Sequence, residues 1–208
     1  EEVDRADIQI VLDTVVNLNL IRSLQPDYLI VATGSVPRSL MLDDSTPHEH
    51  VVQAIEVLTT RESLTGDVVI VGGGLVGLDV AEVLSTTADR VTIVEKRSRV
   101  GSVLEWNLRK MRLASLRHYG VNMMLQSQLI RCERSAVMVC NPSGDEERIQ
   151  ADVLVLALGS VPDNPLPQLA EALSCPQTFI GDCRNPAGLT EALSQGRSAG
   201  RMNISHNA

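Results

Sequence analysis

Aromatic residues are nearly absent from this 208-residue chain: Tyr28, Trp106, Tyr119 and Phe179 make up 2% of it. The core must therefore be aliphatic, and a hydrophobic content of 44% supplies one. That composition excludes a disordered chain. Positive charge is also lacking. The net charge of -8 argues against nucleic acid or an anionic membrane as partner. No apolar run reaches the roughly 18–20 residues that span a bilayer, and no secretory signal pattern is visible. The four cysteines, Cys132, Cys140, Cys175 and Cys183, lack C-x-x-C or close metal spacing. They read as reduced thiols of a cytoplasmic protein. A redox pair of Cys175 with Cys183 has no motif behind it. No serine sits in G-x-S-x-G. Residues 1–31 contain no glycine, and the chain opens on Glu1-Glu2 rather than Met, as expected of a truncated or processed protein.

What is present is a regular alternation. Apolar runs at Val68–Val71 and Arg90–Glu95 read as strands, each followed by a helical stretch, Leu75–Ser85 and Leu104–Tyr119. In the second helix Leu104, Leu108, Met111 and Tyr119 fall close to one face. Val121–Leu125 is a further strand. Segments near 128–133, 136–140 and 146–150 read as a meander, with Asn141-Pro142-Ser143-Gly144 as the turn between its last two strands. Val153–Leu158 closes the unit. This order implies a mostly parallel sheet with helices on its faces.

Around this unit the sequence echoes itself. ATGSVP at 32–37 and ALGSVP at 157–162 each follow a buried-strand pattern, and Gly34 and Gly159 supply the turns. Before the first echo, Ile8–Leu12 reads as a strand and Asn19–Leu24 as a short helix. Residues 38–60 read as a linker, with a polar run Asp43–His50 and an amphipathic stretch Val51–Leu58. After the second echo come a proline-rich loop, a short strand Thr178–Ile180, Gly181-Asp182, and a helix from Leu189 to Met202.

The chemistry lies in VVIVGGGLVGLDVAEVL, residues 68–84, where Gly72, Gly74 and Gly77 form G-x-G-x-x-G between a strand and a helix. Gly72 permits the tight turn. Gly74 lets backbone approach a pyrophosphate, and Gly77 lets helix and strand pack closely. The anion would sit on free N–H groups along Gly72–Gly77, with Gly73, Leu75 and Val76 included, at the positive end of the helix. Glu95 ends the next strand, 23 residues after Gly72. A carboxylate there accepts hydrogen bonds from a ribose diol and repels a 2′-phosphate, which favours NAD(H). Lys96, Arg97 and Arg99 follow and could offset that repulsion, so NADP(H) stays open. His48 and His50 flank Glu49 without a third metal ligand and read as a solvated loop. The cations Arg109, Lys110, Arg112 and Arg117 read as an exposed helix face. No general acid, base or nucleophile stands out, as expected where cofactors carry the chemistry.

DYLIVATGSVP, VVIVGGGLVG with VTIVE, VLVLALGSVPDN and IGDC together span nearly the whole chain. They resemble the two-dinucleotide flavoprotein reductases, and most closely the C-terminal half of the 2,4-dienoyl-CoA reductase and trimethylamine dehydrogenase group. The resemblance implies an α/β fold in which a Rossmann-like NAD(P)-binding domain, residues 61–160, is inserted into a partial FAD-binding domain, residues 1–60 and 161–208. It places Thr33 and Gly34 at the domain junction near FAD, with Gly159 in the matching turn. It sets Gly181 and Asp182 against the flavin's ribityl chain and Asp79 near the nicotinamide end. It also implies that the FAD pyrophosphate turn and the substrate domain lie upstream of the sequence in hand. The expected function is a fragment or shortened form of an FAD-dependent oxidoreductase, inactive as an isolated chain, in which hydride passes from NAD(H) to FAD. The alternative is a non-catalytic module that holds ADP or a dinucleotide.

Overall fold

The structure is a computed structural model and describes residues 8–40, 50–60, 64–163, 173 and 175–202. In chain order its elements are α1 (Leu18–Leu24), β1 (Leu29–Val31), β2 (Ser35–Pro37), β3 (Val51–Gln53), α2 (Ala54–Thr60), β4 (Asp67–Val71), α3 (Leu75–Leu84), β5 (Arg90–Glu95) and α4 (Trp106–His118). There follow β6 (Asn122–Leu125), β7 (Gln128–Glu133), β8 (Ala136–Cys140), β9 (Glu146–Gln150), β10 (Val153–Leu156), β11 (Ser160–Pro162), β12 (Gln177–Phe179), a 3-10 turn (Gly181–Cys183) and α5 (Leu189–Met202). The chain divides into two compact units, residues 1–35 with 162–208, and residues 36–161. The expected boundary at residue 60 therefore moves to Val36. The run Val51–Leu58, read as linker, supplies β3 and α2, because its apolar residues Ala54 and Val57 are buried in the core of the second unit.

The second unit is built on a five-stranded parallel sheet in the order β3-β10-β4-β5-β6. Alternation along each strand sends side chains to opposite faces. Val68, Ile70, Val91 and Ile93 meet α2, α3 and α4, whereas Val69, Val71, Val94 and Leu154 meet the meander residues Val137 and Val139. The topology explains this split. From β3 to β4, β5 and β6 the chain steps one way across the sheet, so right-handed crossovers put all three helices on one face. The return from β6 to β10 steps the other way, so its connection, the antiparallel meander β7-β8-β9, lies on the opposite face. The expected parallel sheet thus carries its helices on one face and the meander on the other. In the meander's turn, Asn141 Oδ1 accepts from the N–H groups of Ser143 (2.9 Å) and Asp145 (3.0 Å).

The expected face of α4 is also corrected. Leu108 and Met111 are 47% and 71% exposed, whereas Leu113 and Leu116 are buried at 5% and 0%. Half-buried Arg109 and Arg112 fall on the same side as these leucines, at helical spacing. Both arginines bond to neighbouring segments, which turns the helix.

In the first unit, α1 is capped by Asn17, whose side chain accepts from the Leu20 N–H. β1 pairs in parallel with β12, and Val31, Cys183, Leu29 and Phe179 form a small core. α5 faces inward through Ala192, Gln195 and Ala199, and matches the expected span. The segment Ile8–Leu12 forms no strand. Its apolar side chains are 57–76% exposed, and no described strand lies beside it to complete a ladder. The two sequence echoes pair as β2 and β11. Their hydrogen bonds are reciprocal: Arg38 N–H donates to Gly159 O (2.9 Å) and Asp163 N–H to Gly34 O (3.0 Å).

All four cysteines are free thiols. No helix among the described residues is long and apolar enough to cross a membrane. No cluster of metal-ligating residues occurs among them. His48, Glu49, and Pro165 and Pro167 of the proline-rich loop lie outside the described residues.

The assignment of the α4 face has a direct consequence. Leu116→Ala is expected to destabilise the protein by about 2–5 kcal/mol, the usual range for an emptied core leucine. Leu108→Ala should change stability by no more than about 0.5 kcal/mol. Urea midpoints at unchanged slope measure both, and equal losses would show that the helix is packed the other way.

Candidate functional site

Parallel strands end together, so the residues that follow them meet at one edge of the sheet. The segments after β4, β5, β6 and β10 surround a cavity of about 440 Å³. Gly72–Gly74 form one wall, Glu95, Lys96, Arg97, Arg99 and Ser102 a second, Ser127–Leu129 a third and Ala157–Gly159 the fourth. Eight of the residues singled out from sequence are brought together here: Gly72, Gly73, Gly74, Glu95, Lys96, Arg97, Arg99 and Gly159.

The glycines of the turn have different surroundings. Gly72 has φ +110°, and a side chain on it would strike the carbonyl of Ala157 on the neighbouring strand. A side chain on Gly77 would strike the carbonyl of Gly72, and one on Gly73 would strike Val100. Gly74 is the exception: apart from its chain neighbours, nothing among the described residues lies within 4 Å of where its Cβ would be. Gly74 is also the N-cap of α3 and offers no side-chain cap. The first intrahelical bond runs from Leu78 N–H to Gly74 O (3.1 Å). The N–H groups of Leu75, Val76 and Gly77 therefore have no acceptor one turn back. This end of the helix is a concentrated set of donors with the positive end of the dipole behind it.

Glu95 is tied into the turn. Its Oε2 accepts from Gly73 N–H (2.6 Å) and its Oε1 from Arg97 N–H (2.7 Å). Each carboxylate oxygen keeps a second lone pair for a ligand. Gly73 O in turn accepts from Gly101 N–H (2.6 Å), so the loop after β5 is laced to the turn on both sides of Gly73.

Leu75, Val76, Gly77 and Asp79 do not line the cavity. Leu75 and Val76 are about two-fifths exposed on the first turn of α3, and Gly77 is buried. Asp79 Oδ1 is held by Arg112 Nη2 at 2.6 Å, and Arg112 Nε bonds Glu82 Oε1 at 2.8 Å. Arg112 therefore clasps two acids of the helix that carries the glycine turn. The hydrogen bond to Glu82, with that to Asp79, raises the guanidinium pKa above its ordinary value despite the opposing pull of burial. The expected exposed cationic face survives only for Lys110 and Arg117. Arg109 donates through Nε to Val100 O (2.7 Å).

The first unit has its own cavity of about 410 Å³, lined by Gly34, Gly181, Asp182, Gly188, Leu189 and Ala192 among others. Asp182 shapes it: Oδ1 accepts from the N–H groups of Ala187 (3.2 Å) and Gly188 (3.4 Å), just ahead of α5. Gly181 N–H donates to Gln195 Oε1 (2.8 Å). Thr33 does not line this cavity; its hydroxyl donates to Asp163 O.

Several residues of the larger cavity were not found from sequence. Ser127, Gln128, Leu129, Ala157 and Leu158 follow β6 and β10, and the rule that parallel strands share a functional edge would have pointed to them. Val100, Gly101 and Arg109 hold the basic loop onto Gly73. Only the three-dimensional closure shows that.

A family model described as pyridine nucleotide-disulphide oxidoreductase matches residues 2–191. Among curated relatives, the NADH oxidase of Thermoanaerobacter brockii is 30% identical over 199 residues, 94% of this chain and 31% of that protein. The bilirubin reductase of Mediterraneibacter gnavus is 26% identical over 202 residues, 97% of this chain and 31% of that protein. The chain thus spans about a third of the length of these relatives. A solved 2-naphthoyl-CoA reductase complex matches with a TM-score of 0.79 at 23% identity, over 94% of this chain and 30% of that one. Histamine dehydrogenase from Rhizobium sp. 4-9 matches at 0.76 with 19% identity, over 91% and 32%. At these identities the two structures show a shared fold. A glycine turn backed by an acid at the next strand end, on a sheet closed by a meander, is matched from residue 2 to residue 191: the chain belongs to the pyridine nucleotide-disulphide oxidoreductase family.

Proposed function

We propose that the Gly72–Gly77 turn holds the pyrophosphate of NAD(H), and that in the intact protein the chain presents the nicotinamide to FAD. The observation that carries this reading is the contrast among the glycines. Gly72, Gly73 and Gly77 lack side chains because the protein occupies that space, whereas Gly74 faces a space that the described residues leave open. An open approach to backbone N–H groups at the start of a ten-residue helix suits a phosphate. Glu95, at the cavity wall, would hold the ribose with its remaining lone pairs.

The cavity of the first unit fits one stretch of FAD. The N-terminus of α5, ordered by Asp182, would face it, and Gly34 and Gly181 leave room beside it. Residues 1–31 supply no glycine for a second pyrophosphate turn. On this reading firm FAD binding needs a further segment, and so does the final substrate, an unsaturated or amine compound if the protein is of the dienoyl-CoA reductase type. Nicotinamide and flavin supply hydride transfer when bound. The residues of this chain bind and orient them, in a protein that we place in the cytoplasm.

A second reading, a module that binds ADP or a dinucleotide without hydride transfer, is favoured by one observation. Asp79, the acid assigned to the nicotinamide end, is engaged by Arg112. Titration separates the two: the purified chain is expected to be colourless and to bind NADH with a saturable change in nicotinamide fluorescence. Binding of ADP with no discrimination in favour of NADH would support the module, and binding of neither would remove the pyrophosphate assignment.

The glycine contrast makes a sharper prediction. Gly74→Val should lower NADH affinity about tenfold or more, with a stability loss of no more than about 1 kcal/mol. Gly77→Val should instead destabilise the fold by about 1–3 kcal/mol or more, because its side chain is driven into backbone. Calorimetric titration and thermal melting read the two effects, and a Gly74→Val protein with unchanged affinity would refute the cradle.

A further inference from the structure

The helix that follows the glycine turn carries charge of the wrong sign for an anion. α3 reads LVGLDVAEVL, with two acids, Asp79 and Glu82, and no basic residue of its own. Asp79 stands four residues after Leu75 and three after Val76, on the same side of the helix and one turn behind them. At a rise of about 1.5 Å per residue it lies about 3–6 Å further along the axis than Leu75, Val76 and Gly77, and Glu82 about 8–10 Å. Two uncompensated carboxylates at that range oppose the positive end of the helix dipole.

Compensation comes from the next helix. Arg112 of α4 reaches Asp79 Oδ1 through Nη2 (2.6 Å) and Glu82 Oε1 through Nε (2.8 Å). Among the described residues neither acid has a second ion-pair partner. The Arg112 side chain is only 17% exposed and sits beside buried Leu113 and one turn from buried Leu116, so the packing of α4 sets its place. The clasp is not what aims α3. Gly77 rests on the Gly72 carbonyl, and Leu78, Val80, Ala81 and Leu84 are in the core. Ion pairs whose acids are this exposed also add little to stability. What Arg112 changes is charge: it takes this side of α3 from two net negative charges to one.

We propose that Arg112 is a charge-compensating residue of the dinucleotide site: by neutralising Asp79 and Glu82 it keeps the N-terminus of α3 attractive to phosphate, without touching the ligand. This rests on the reading that the Gly72–Gly77 turn holds the pyrophosphate. The whole chain carries a net charge of -8, so an anion site on it depends on local compensation of this kind. The planar guanidinium serves two acids on successive turns at once, which a single ammonium does less well.

The test is calorimetric titration of NADH and ADP into the whole chain at salt from about 0.01 to about 1 M, over which the screening length falls from about 30 to about 3 Å. Arg112→Met should weaken both ligands about twofold or more at the lowest salt, and the ratio to the unmodified chain should approach one at the highest. Arg112→Lys, which keeps the charge, should lose less. Arg112→Met combined with Asp79→Asn and Glu82→Gln removes all three charges and should bind no more weakly than the unmodified chain. Asp79→Asn with Glu82→Gln alone leaves the cation uncompensated and should tighten both ligands about threefold or more at low salt. This double variant decides the matter if Arg112→Met does not fold, and an absence of tightening there would overturn the proposal. A loss under twofold in Arg112→Met, a loss that salt leaves unchanged, or weaker binding by the charge-neutral triple variant would also overturn it and leave the pyrophosphate reading standing. Binding of neither ligand by the unmodified chain would overturn both.

Discussion

The close approach of three backbone segments at Gly72 is the constraint on which the rest of the structure depends. Gly77, in the first turn of α3, rests on the Gly72 carbonyl, and Gly72 rests on the Ala157 carbonyl just past β10. These two contacts set the angle at which α3 leaves the sheet and the distance between the ends of β4 and β10. Both need the absence of a Cβ, so no rotamer change could relieve a substitution. The cavity exists because the chain reaches this edge with backbone packed on backbone. The dipole of α3 is aimed along it for the same reason.

The sheet order then decides what surrounds that edge. Because β6 connects back to β10 across β4 and β5, the meander must cross the face opposite the helices, and the end of β6 delivers Ser127, Gln128 and Leu129 to the cavity. The same reversal sets the strand ends of β4 and β10 side by side. That is where open parallel sheets leave room for a ligand. Two apolar layers result, one for each face of the sheet, and they are complementary by alternation: Val68 and Ile70 serve one, Val69 and Val71 the other.

Much of this was readable in the sequence, because its signals are local. Buried parallel strands are short aliphatic runs, and the turn, the acid at the next strand end and the Asn141–Gly144 reversal are each specified within a few residues. What was misread depended on partners far away. Ile8–Leu12 has the pattern of a strand, but a strand needs a ladder, and none of the described segments offers one. Val51–Leu58 looked like a linker because β3 is only three residues long and gains its place by pairing with β10, about a hundred residues later. The face of α4 was misjudged because Leu108 and Met111 suggested an apolar stripe. Two half-buried arginines on the other side bond to Val100 O and to Asp79 and Glu82, and they outweigh that stripe. Hydrophobic periodicity cannot register a buried polar anchor.

Glu95 shows why a motif residue resists a single role. A carboxylate at the end of β5 reads as the acceptor for a ribose, and its position on the cavity wall is compatible with that. Yet it already accepts the Gly73 and Arg97 N–H groups, which lie on two different loops. Those bonds are charge-assisted and so among the stronger ones available to a loop. Gly73 is thereby fixed on both sides, by Glu95 at its N–H and by Gly101 at its C=O. The acid thus acts on the protein, by joining the glycine turn to the basic loop, and keeps its remaining lone pairs free of these two bonds. Lys96, Arg97 and Arg99 beside it are exposed and line the same cavity. An acid in this position serves the fold as well as a site: it fixes the loop that carries the positive charge.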